Sequence, residues 1–243
     1  MNLIIDIGNT LTKVAVFSGQ EICFNKIYES LTLHEVKVLV NKFNIVHSII
    51  SEVKTVEEEL ENYLKTTTHF IQLDHQTPLP FTNLYTTPAT LGKDRLALAA
   101  AASKLYPHMN VLVIDAGTCI TYDMVNEENE YIGGGISPGL ALRLRSLAEF
   151  TGKLPRVKIT DHEMIPLVGN STESAIKSGV VNGIKHEIEG AIHQFSEQYN
   201  DLKIVLTGGN IERFEIASKN RIFADPFLVL KGLNEILKIN AKN

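Results

Sequence analysis

DIGNTLT, at residues 6–12, aligns without a gap with DAGTCIT at residues 115–121. Each stretch begins at the end of an apolar run (3–7 and 111–117) and places an Asp-x-Gly turn with hydroxyl side chains before the next apolar run. Either stretch alone is also typical of a simple hairpin turn, because Asn and Gly are common in hairpins. Two copies in the same register favour a chain built from two related halves that face each other across a cleft.

The residues around the two turns predict a β-β-β-α-β-α order in each half. In the first half we predict strands at 3–7, 11–17, 21–28 and 45–51, helices from about Thr32, at 56–65 and at 95–106, and a loop around 77–90. In the second half we predict strands at 111–117, 119–125, 130–135 and 202–209, and helices at about 139–150, 172–198 and 226–238. Thr32 and Glu35 form a predicted capping box at the start of the first helix.

The composition excludes several classes of protein. The chain has 243 residues, of which 44% are hydrophobic and 21% charged, so it can form a core. Its formal net charge is −5 and it has no basic block, which argues against a nucleic-acid partner. Cys23 and Cys119 are the only cysteines and lie far apart, which argues against a disulfide framework or zinc site. Asp6 interrupts the apolar N-terminal run and no other run could span a membrane, so we expect a cytoplasmic protein without a membrane partner.

The two turns have the residues that a nucleotide phosphate requires. Gly8 lets the backbone approach a phosphate, and Lys13 can supply a positive charge near the outer phosphates. Asp6 lies at a predicted strand end, where a carboxylate can hold Mg²⁺ through its water shell. The predicted ATP-binding residues of the first turn are Asp6, Ile7, Gly8, Asn9, Thr10 and Lys13. Those of the second half are Gly117, Thr118, Gly208 and Gly209, the last two in LTGGN at 206–210.

Together, the two turns and LTGGN resemble the phosphate-1, phosphate-2 and adenosine motifs of the actin, sugar-kinase and Hsp70 superfamily. The chain has neither a G-x-x-x-x-G-K-[ST] motif nor a G-x-G-x-x-G motif between a strand and a helix, which argues against a P-loop protein and a Rossmann dehydrogenase. The resemblance implies an α/β fold with two duplicated ribonuclease H-like βββαβα halves, 1–109 and 110–243, and an interdomain ATP cleft.

A narrower resemblance rests on the segment YTTPATLGKDR at 85–95. It is similar to the Tyr-x-x-Pro and Gly-x-Asp-Arg elements of type III pantothenate kinases. DIGNTLTK, DAGTCIT, GGGISPG and GNSTESAIKSG occur around it in the order of that family. Cys119 and Thr87 stand where alanine and asparagine are common, and these departures are small. The resemblance implies ATP-dependent phosphorylation of pantothenate to 4'-phosphopantothenate, the first step of coenzyme A synthesis.

The resemblance also implies roles for the residues of this segment. Asp94 is the implied proton acceptor. This role agrees with the chemistry, because phosphoryl transfer to an alcohol requires a carboxylate that orients the attacking hydroxyl. Asp94 could instead only cap a helix that begins at Arg95. Arg95 suits the pantothenate carboxylate, because guanidinium pairs with carboxylates bidentately, although it could also be solvated. The implied substrate-binding residues are Tyr85, Gly92, Lys93, Asp94, Arg95 and Thr172, with surface or core positions as the alternatives for Lys93 and Tyr85.

Two further implied roles concern a cation and a second subunit. Asp115 matches a position that holds a monovalent cation, K⁺ or NH₄⁺, although its carboxylate could also lie near Mg²⁺. Thr172 matches a threonine that contacts substrate across the interface of a homodimer. The apolar stripe Ala175, Ile176, Val180, Ile184, Ile188 and Ala191 follows it at helical spacing and could pack across that interface or within its own subunit. Asn170 with Glu173 forms a capping pattern, so Thr172 could simply begin a helix.

Two other functions compete with this interpretation. A related kinase for a sugar or an acetate-like acid would share the two turns, but the GKDR segment at 92–95 argues against it. A non-catalytic regulatory protein on the same scaffold would not need Asp6, Lys13 and Asp94, all of which are present. Gly133–Gly135 could contact a ligand or allow tight packing of a strand.

Overall fold

The computed structural model describes residues 1–52, 57–160, 163–214, 216 and 221–241. The chain forms two compact units, described here separately. The first unit is Met1–His108, Val125–Ile132 and Phe227–Asn243, and the second is Met109–Met124 and Gly133–Pro226. The division into sequence halves at 1–109 and 110–243 follows chain order and stays a prediction.

Strands and helices are numbered along the chain. Among the described residues, the strands are β1 (Asn2–Ile7), β2 (Thr12–Ser18), β3 (Glu21–Tyr28), β4 (His47–Glu52), β5 (His69–Gln72), β6 (Thr82–Asn83), β7 (Val111–Ala116), β8 (Cys119–Val125), β9 (Glu130–Pro138), β10 (Lys203–Thr207) and β11 (Ile222–Ala224). The α-helices are α1 (Leu33–Phe43), α2 (Glu58–Thr67), α3 (Lys93–Leu105), α4 (Leu140–Glu149), α5 (Thr172–Gln198) and α6 (Leu228–Asn240).

The first unit has a mixed sheet with the order β3-β2-β1-β4-β5. β1 pairs with β2 in antiparallel and with β4 in parallel orientation, and β5 continues the parallel side. The inner strands β1, β2 and β4 consist largely of buried aliphatic residues, as expected for strands covered on both faces. The helix α1 begins with the predicted capping box, in which Thr32 accepts from the Glu35 backbone and Glu35 from that of Thr32.

The second unit repeats this strand order. Its sheet has the order β9-β8-β7-β10-β11, and β7 and β11 both pair with β10 in parallel orientation. Strands β7, β8, β9, β10 and β11 therefore occupy the places that β1, β2, β3, β4 and β5, respectively, occupy in the first sheet. The predicted α/β fold with duplicated halves is confirmed. Within the first unit, the short strand β6 pairs in parallel orientation with the start of β9.

The long helix α5 covers the core of the second unit. Ile176, Val180, Ile184 and Ile188 are buried in one cluster with residues of β7, β8 and β10. The predicted stripe thus packs within its own unit, and Ala175 at its start is exposed. Of the two alternatives for this stripe, its buried aliphatic side chains favour packing within its own subunit, and an interface with a second subunit stays a prediction.

Several element boundaries differ from the predictions. The second helix is Glu58–Thr67, and Val56 of its predicted span lies outside the described residues. The last helix is displaced by two residues, and the predicted strand 202–209 ends at Thr207. β5, β6 and β11 were not predicted. In the described part of the chain, both cysteines have free thiols and no helix is long and apolar enough to cross a membrane.

Candidate functional site

Asp6 lies at the end of β1 between polar residues of the two neighbouring strands. Its register partners are Lys13 on β2 and Ser51 on β4, so the three side chains share one face of the sheet. Burial and, to a smaller extent, the charge of Asp94 raise the pKa of the Asp6 carboxyl, while Lys13 and a hydrogen bond from Ser51 lower it, and the net result is a pKa of about 6. The result is a half-buried carboxylate whose negative charge is only partly compensated.

The first turn follows directly after Asp6. The Gly8 amide donates to the Leu11 carbonyl over 3.0 Å and closes a tight turn. Asn9 and Thr10 are exposed at its tip, and Ile7 and Gly8 are half-buried beneath them. The structure thus brings together all six residues that the sequence analysis assigned to the first turn.

Asp94 lies in the first turn of α3. This helix begins at Lys93, with Gly92 as its N-cap, so Asp94 is its second residue and not its cap. The carboxylate accepts the Arg95 amide over 2.9 Å, which restrains its orientation. A side chain at position 92 would overlap this carboxylate, which explains the glycine there. The alternative in which Asp94 serves only to cap a helix beginning at Arg95 is therefore incorrect.

Arg95 is buried among aromatic rings. The exposed fraction of this residue is 4%, which contradicts the alternative of a solvated arginine. Its guanidinium carbon lies 5.5 Å from the ring centre of Tyr85 and 5.9 Å from that of Tyr131. Tyr85 is half-buried, its backbone amide donates to the Asn83 side chain, and its ring lies 6.1 Å from that of Tyr131. Such cation–π contacts can hold a guanidinium in a fixed orientation.

Lys93 forms an ion pair at the end of β4. Its ammonium nitrogen lies 3.7 Å from Oε1 of Glu52, and the same oxygen accepts a hydrogen bond from Gln72 over 2.6 Å. The Lys93 side chain is 26% exposed, so the residue is partly accessible and engaged within its own unit.

In the second unit, Asp115 occupies the position that corresponds to Asp6. It lies at the end of β7 and pairs in register with Thr207 of β10. Gly208 follows with a φ of +98°, a conformation that favours glycine, and a Cβ there would lie 2.6 Å from the Ala116 backbone. The next residues return to the second turn, where the Asn210 amide donates to the Ala116 carbonyl over 3.1 Å. LTGGN therefore packs directly against the carboxylate of Asp115 and the turn behind it.

The second turn is closed by a hydrogen bond from the Gly117 amide to the Cys119 carbonyl over 3.0 Å. Thr118 is exposed at its tip. The Thr118 carbonyl accepts the Gly139 amide over 3.1 Å, so the start of α4 lies against the second turn. Gly209 is exposed and no atom would contact a Cβ placed on it.

Thr172 is exposed and is the first residue of α5. The cap of this helix is Ser171, which forms a capping box with Ser174. The predicted pairing of Asn170 with Glu173 is therefore wrong, while the expectation that Thr172 begins a helix is confirmed. The Gly133–Gly135 run lies in β9, where a side chain on Gly134 would overlap the Tyr122 carbonyl, so it has a packing role.

Four residues near these turns were missed by sequence analysis: Ser51, Glu52, Tyr131 and Asn210. Ser51 ends the predicted strand 45–51 and Glu52 follows it directly, so a search for polar residues at strand ends would have found both. Asn210 completes LTGGN and could have been included with its glycines. Tyr131 is fully buried in a strand, and no local pattern links it to Arg95.

Comparison with known proteins gives one consistent family. A family profile described as type III pantothenate kinase matches residues 2–194. The type III pantothenate kinase of Christiangramia forsetii is 47% identical over 242 residues and covers 99% of each chain. That of Phocaeicola vulgatus is 44% identical over 243 residues and covers 100% of each chain.

Solved structures share the fold at lower identity. One from Campylobacter jejuni that carries the name of a Baf family transcriptional activator has a TM-score of 0.60 and 23% identity, with 99% of this chain and 100% of that chain covered. A ROK hexokinase from Thermus thermophilus has a TM-score of 0.53 and 10% identity, with 98% and 99% covered. At these identities the likeness concerns the fold alone.

Proposed function

Because this chain belongs to the type III pantothenate kinase family, we propose that it transfers the γ-phosphoryl group of ATP to pantothenate, with Asp94 as the residue that accepts the hydroxyl proton. The product is 4'-phosphopantothenate, the first intermediate of coenzyme A synthesis. The observation that carries the assignment is the Gly92-Lys93-Asp94-Arg95 segment, which holds a carboxylate and a buried guanidinium side by side at the start of α3.

The geometry of Asp94 supports a role as general base. Its carboxylate is held by the Arg95 amide and lies close enough to Asp6 for their charges to interact. Such a fixed carboxylate can orient the attacking hydroxyl and take its proton as the bond to phosphorus forms. The proton moves to an Asp94 oxygen, the hydroxyl oxygen bonds to the γ-phosphorus, and ADP leaves.

The first turn and Lys13 are the proposed ligands of the ATP phosphates. The exposed backbone at Asn9 and Thr10 can donate to phosphate oxygens, and Lys13 adds positive charge. The partly compensated Asp6 carboxylate fits a cation, and we assign it to Mg²⁺ through water. Mg²⁺ that arrives with ATP neutralises charge on the phosphates.

The second turn and LTGGN are the proposed ligands of ATP in the second unit, through Gly117, Thr118, Gly208 and Gly209. Asp115 is the proposed ligand of a monovalent cation, K⁺ or NH₄⁺. Within the described residues, no three His, Cys, Asp or Glu side chains form a metal cluster. A cation here would therefore be held by the Asp115 carboxylate together with backbone or ligand oxygens, a set that suits a hard ion. That ATP lies in a cleft between the two halves stays a prediction.

Arg95 is the proposed partner of the pantothenate carboxylate. Two rings restrain its guanidinium, and a guanidinium held this way loses little entropy when it binds a carboxylate bidentately. Gly92 and Tyr85 both lie close to Arg95, and we propose them as further substrate contacts. We include Lys93 as a weaker candidate, because Glu52 already pairs with it.

A homodimer completes the proposal, with Thr172 reaching the substrate site of the second subunit. Thr172 is accessible, and the segment before it exposes Met164, Leu167 and Val168 by 93%, 73% and 79%. Clustered large apolar side chains at such exposure are typical of protein interfaces.

A cytoplasmic location, where ATP and reduced thiols occur together, agrees with the free cysteines.

A substrate panel tests the proposed activity. ADP release is measured with pantothenate, with pantetheine (in which an amide replaces the carboxylate), with glucose and with acetate. The wild type is expected to prefer pantothenate strongly, and Arg95→Lys to lose much of its preference over pantetheine, because a point charge cannot replace a bidentate fork. Equal rates with glucose or acetate would favour a related kinase, and no turnover with any acceptor would favour a regulatory protein.

The cation assignment needs a separate comparison in K⁺ and Na⁺. Asp115→Ala is expected to lower the rate and to make the remaining activity insensitive to this exchange. A variant that keeps the wild-type dependence on K⁺ would contradict the assignment.

A further inference from the structure

A polar network joins four elements of the second unit behind the second turn. Nη2 of Arg143 on α4 forms an ion pair with Oε2 of Glu187 on α5. The Tyr122 hydroxyl on β8 donates to the other oxygen of this carboxylate over 2.9 Å. The Arg143 and Glu187 side chains are only 21% and 31% exposed, and Tyr122 is buried.

Arg143 also binds the end of β9. Its Nε donates to the Pro138 carbonyl over 2.7 Å, and Nη2 donates to the Ser137 hydroxyl over 2.8 Å. One guanidinium thus connects the segment just before α4 to α5. A planar guanidinium with donors in fixed directions can make these contacts simultaneously, and a lysine cannot.

The charge states of the network are well defined. Burial raises the pKa of Glu187, but hydrogen bonds from Arg143, Ser137 and Tyr122 together lower it by more. The pKa of Glu187 therefore lies below its ordinary value. Burial and the adjacent Glu187 raise the pKa of Tyr122 above its ordinary value, so this side chain stays a hydrogen-bond donor. Near neutral pH the network therefore consists of a carboxylate, a guanidinium and a protonated phenol.

The segment that Arg143 holds leads directly to the second turn. Gly139 follows Pro138, and its amide donates to the Thr118 carbonyl over 3.1 Å. A Cβ on Gly139 would overlap the carbonyl oxygens of Gly117 and Thr118, so the two backbones are in close contact. A displacement of Ser137–Gly139 must consequently displace the second turn.

We propose that Arg143 is a positioning residue for ATP binding, which holds Ser137–Gly139 against the Gly117–Thr118 backbone through its anchor on Glu187. Nε and Nη2 of Arg143 donate to Pro138, Ser137 and Glu187, so the proposed role is to position the backbone rather than to contact the nucleotide. The inference rests on the proposed function, because it takes the second turn to be a ligand of ATP. It adds a residue outside every motif that the sequence analysis singled out.

The test compares Arg143→Met, Arg143→Lys, Glu187→Gln and Tyr122→Phe with the wild type. For each variant, the KM for ATP, the KM for pantothenate, kcat and the ATP dissociation constant by calorimetry are measured. Arg143→Met is expected to weaken ATP roughly ten- to a hundred-fold, as a misplaced binding group does, with the pantothenate KM within about two-fold. Arg143→Lys should recover only part of the loss, and Tyr122→Phe should have the smallest effect.

Glu197→Gln is the matched control for Glu187→Gln. Glu197 lies on the same helix, and its 67% exposed side chain lies 3.5 Å from His193, so the ATP affinity of Glu197→Gln should equal that of the wild type. A merely structural role of the network would lower the active fraction, and therefore the apparent kcat, without a selective change in ATP affinity. Such a result for Arg143→Met would overturn the proposal, as would additive losses in Arg143→Met combined with Glu187→Gln.

Gly139→Ala separates this proposal from the proposed function. Its methyl group must displace the second turn, so ATP binding should weaken. If Gly139→Ala weakens ATP but Arg143→Met does not, the positioning role is wrong and the assignment of the turn stands. If a folded Gly139→Ala binds ATP normally, the assignment of the second turn to ATP is wrong. Gly117→Ala, with its added methyl 3.3 Å from the Asp115 carboxylate, replaces Gly139→Ala in this comparison if the latter does not fold.

Discussion

Asp6 and Asp94 interact in the first unit as like charges. Burial and the charge of Asp94 outweigh the opposing effects of Lys13 and Ser51 and raise the pKa of Asp6 from an ordinary value of 3.8 to about 6. Two carboxylates that repel each other in the absence of ligand are stabilised when a cation and the ATP phosphates bind near them. Mg²⁺ bound near Asp6 should therefore also stabilise the negative charge of Asp94, the proposed base.

Asp94→Asn tests the role of the base. The amide keeps the shape of the side chain but cannot accept the hydroxyl proton, so kcat should fall by about 10²–10⁴-fold while ATP still binds. Steady-state rates and calorimetric ATP binding are the measurements. Asp201→Asn is a suitable control, because Asp201 is exposed on a turn of the second unit. A kcat near that of the wild type would remove Asp94 from the chemistry.

Asp6→Asn tests the buried charge through pH. A carboxyl whose pKa is higher in the folded than in the unfolded state contributes its full stability at pH values below the unfolded-state pKa. This contribution is lost as the pH rises through the folded-state pKa. Without nucleotide or Mg²⁺, the variant should therefore unfold at a higher temperature than the wild type at pH 8, by a few degrees, since about 1 kcal/mol corresponds to about 2–4 °C at this chain length. The difference should shrink toward pH 4. A Tm difference that does not change between pH 4 and pH 8 would contradict the raised pKa.

At the level of elements, sequence patterns predicted the strands β1 to β4 and β7 to β10 because these are long apolar runs that end at turn residues. β5 and β11 could not be predicted in the same way. They have four and three residues, and their pairing with β4 and β10 depends on long-range parallel contacts. For α3, the helix starts two residues before its predicted start, which moves Asp94 from a cap position into the first turn. Local propensity cannot distinguish these, because both arrangements put Asp near a helix start.

Gly208 directly follows β10, and its backbone conformation determines how LTGGN contacts the second turn. Ala at this position must adopt a φ of +98° and displace the Ala116 backbone or the Asp115 carboxylate, so we expect a loss of about 1–3 kcal/mol. Thermal unfolding of Gly208→Ala and Gly209→Ala makes the comparison, because nothing contacts a Cβ on Gly209. Equal Tm values for the two variants would show that the close contact at Gly208 is not rigid.

For the whole molecule, the sequence repeat predicted two similar sheets, and their equivalent strand orders agree with it. The burial of the α5 stripe could not be foreseen, because an amphipathic helix presents the same pattern whether its partner is its own sheet or a second subunit. The proposal of a homodimer therefore rests on the exposed segment before Thr172, and it requires direct experiment.

Subunit mixing tests the proposed homodimer. Asp94→Asn and Thr172→Arg subunits should each be inactive alone. If Thr172 acts on the neighbouring site, a mixed dimer has both changes in one site and leaves the other intact, so activity returns on subunit exchange. Exchange without recovered activity, or a monomer by light scattering at assay concentration, would contradict the role of Thr172.

The most direct test of the central claim is product identification by mass spectrometry after incubation with ATP, Mg²⁺, K⁺ and pantothenate. We predict equimolar ADP and phosphorylated pantothenate from the wild type, and formation of both about 10²–10⁴-fold more slowly by an Asp94→Asn variant that still binds ATP. ADP formed with free phosphate while pantothenate stays unmodified, or phosphorylated pantothenate at the wild-type rate from Asp94→Asn, would contradict the account.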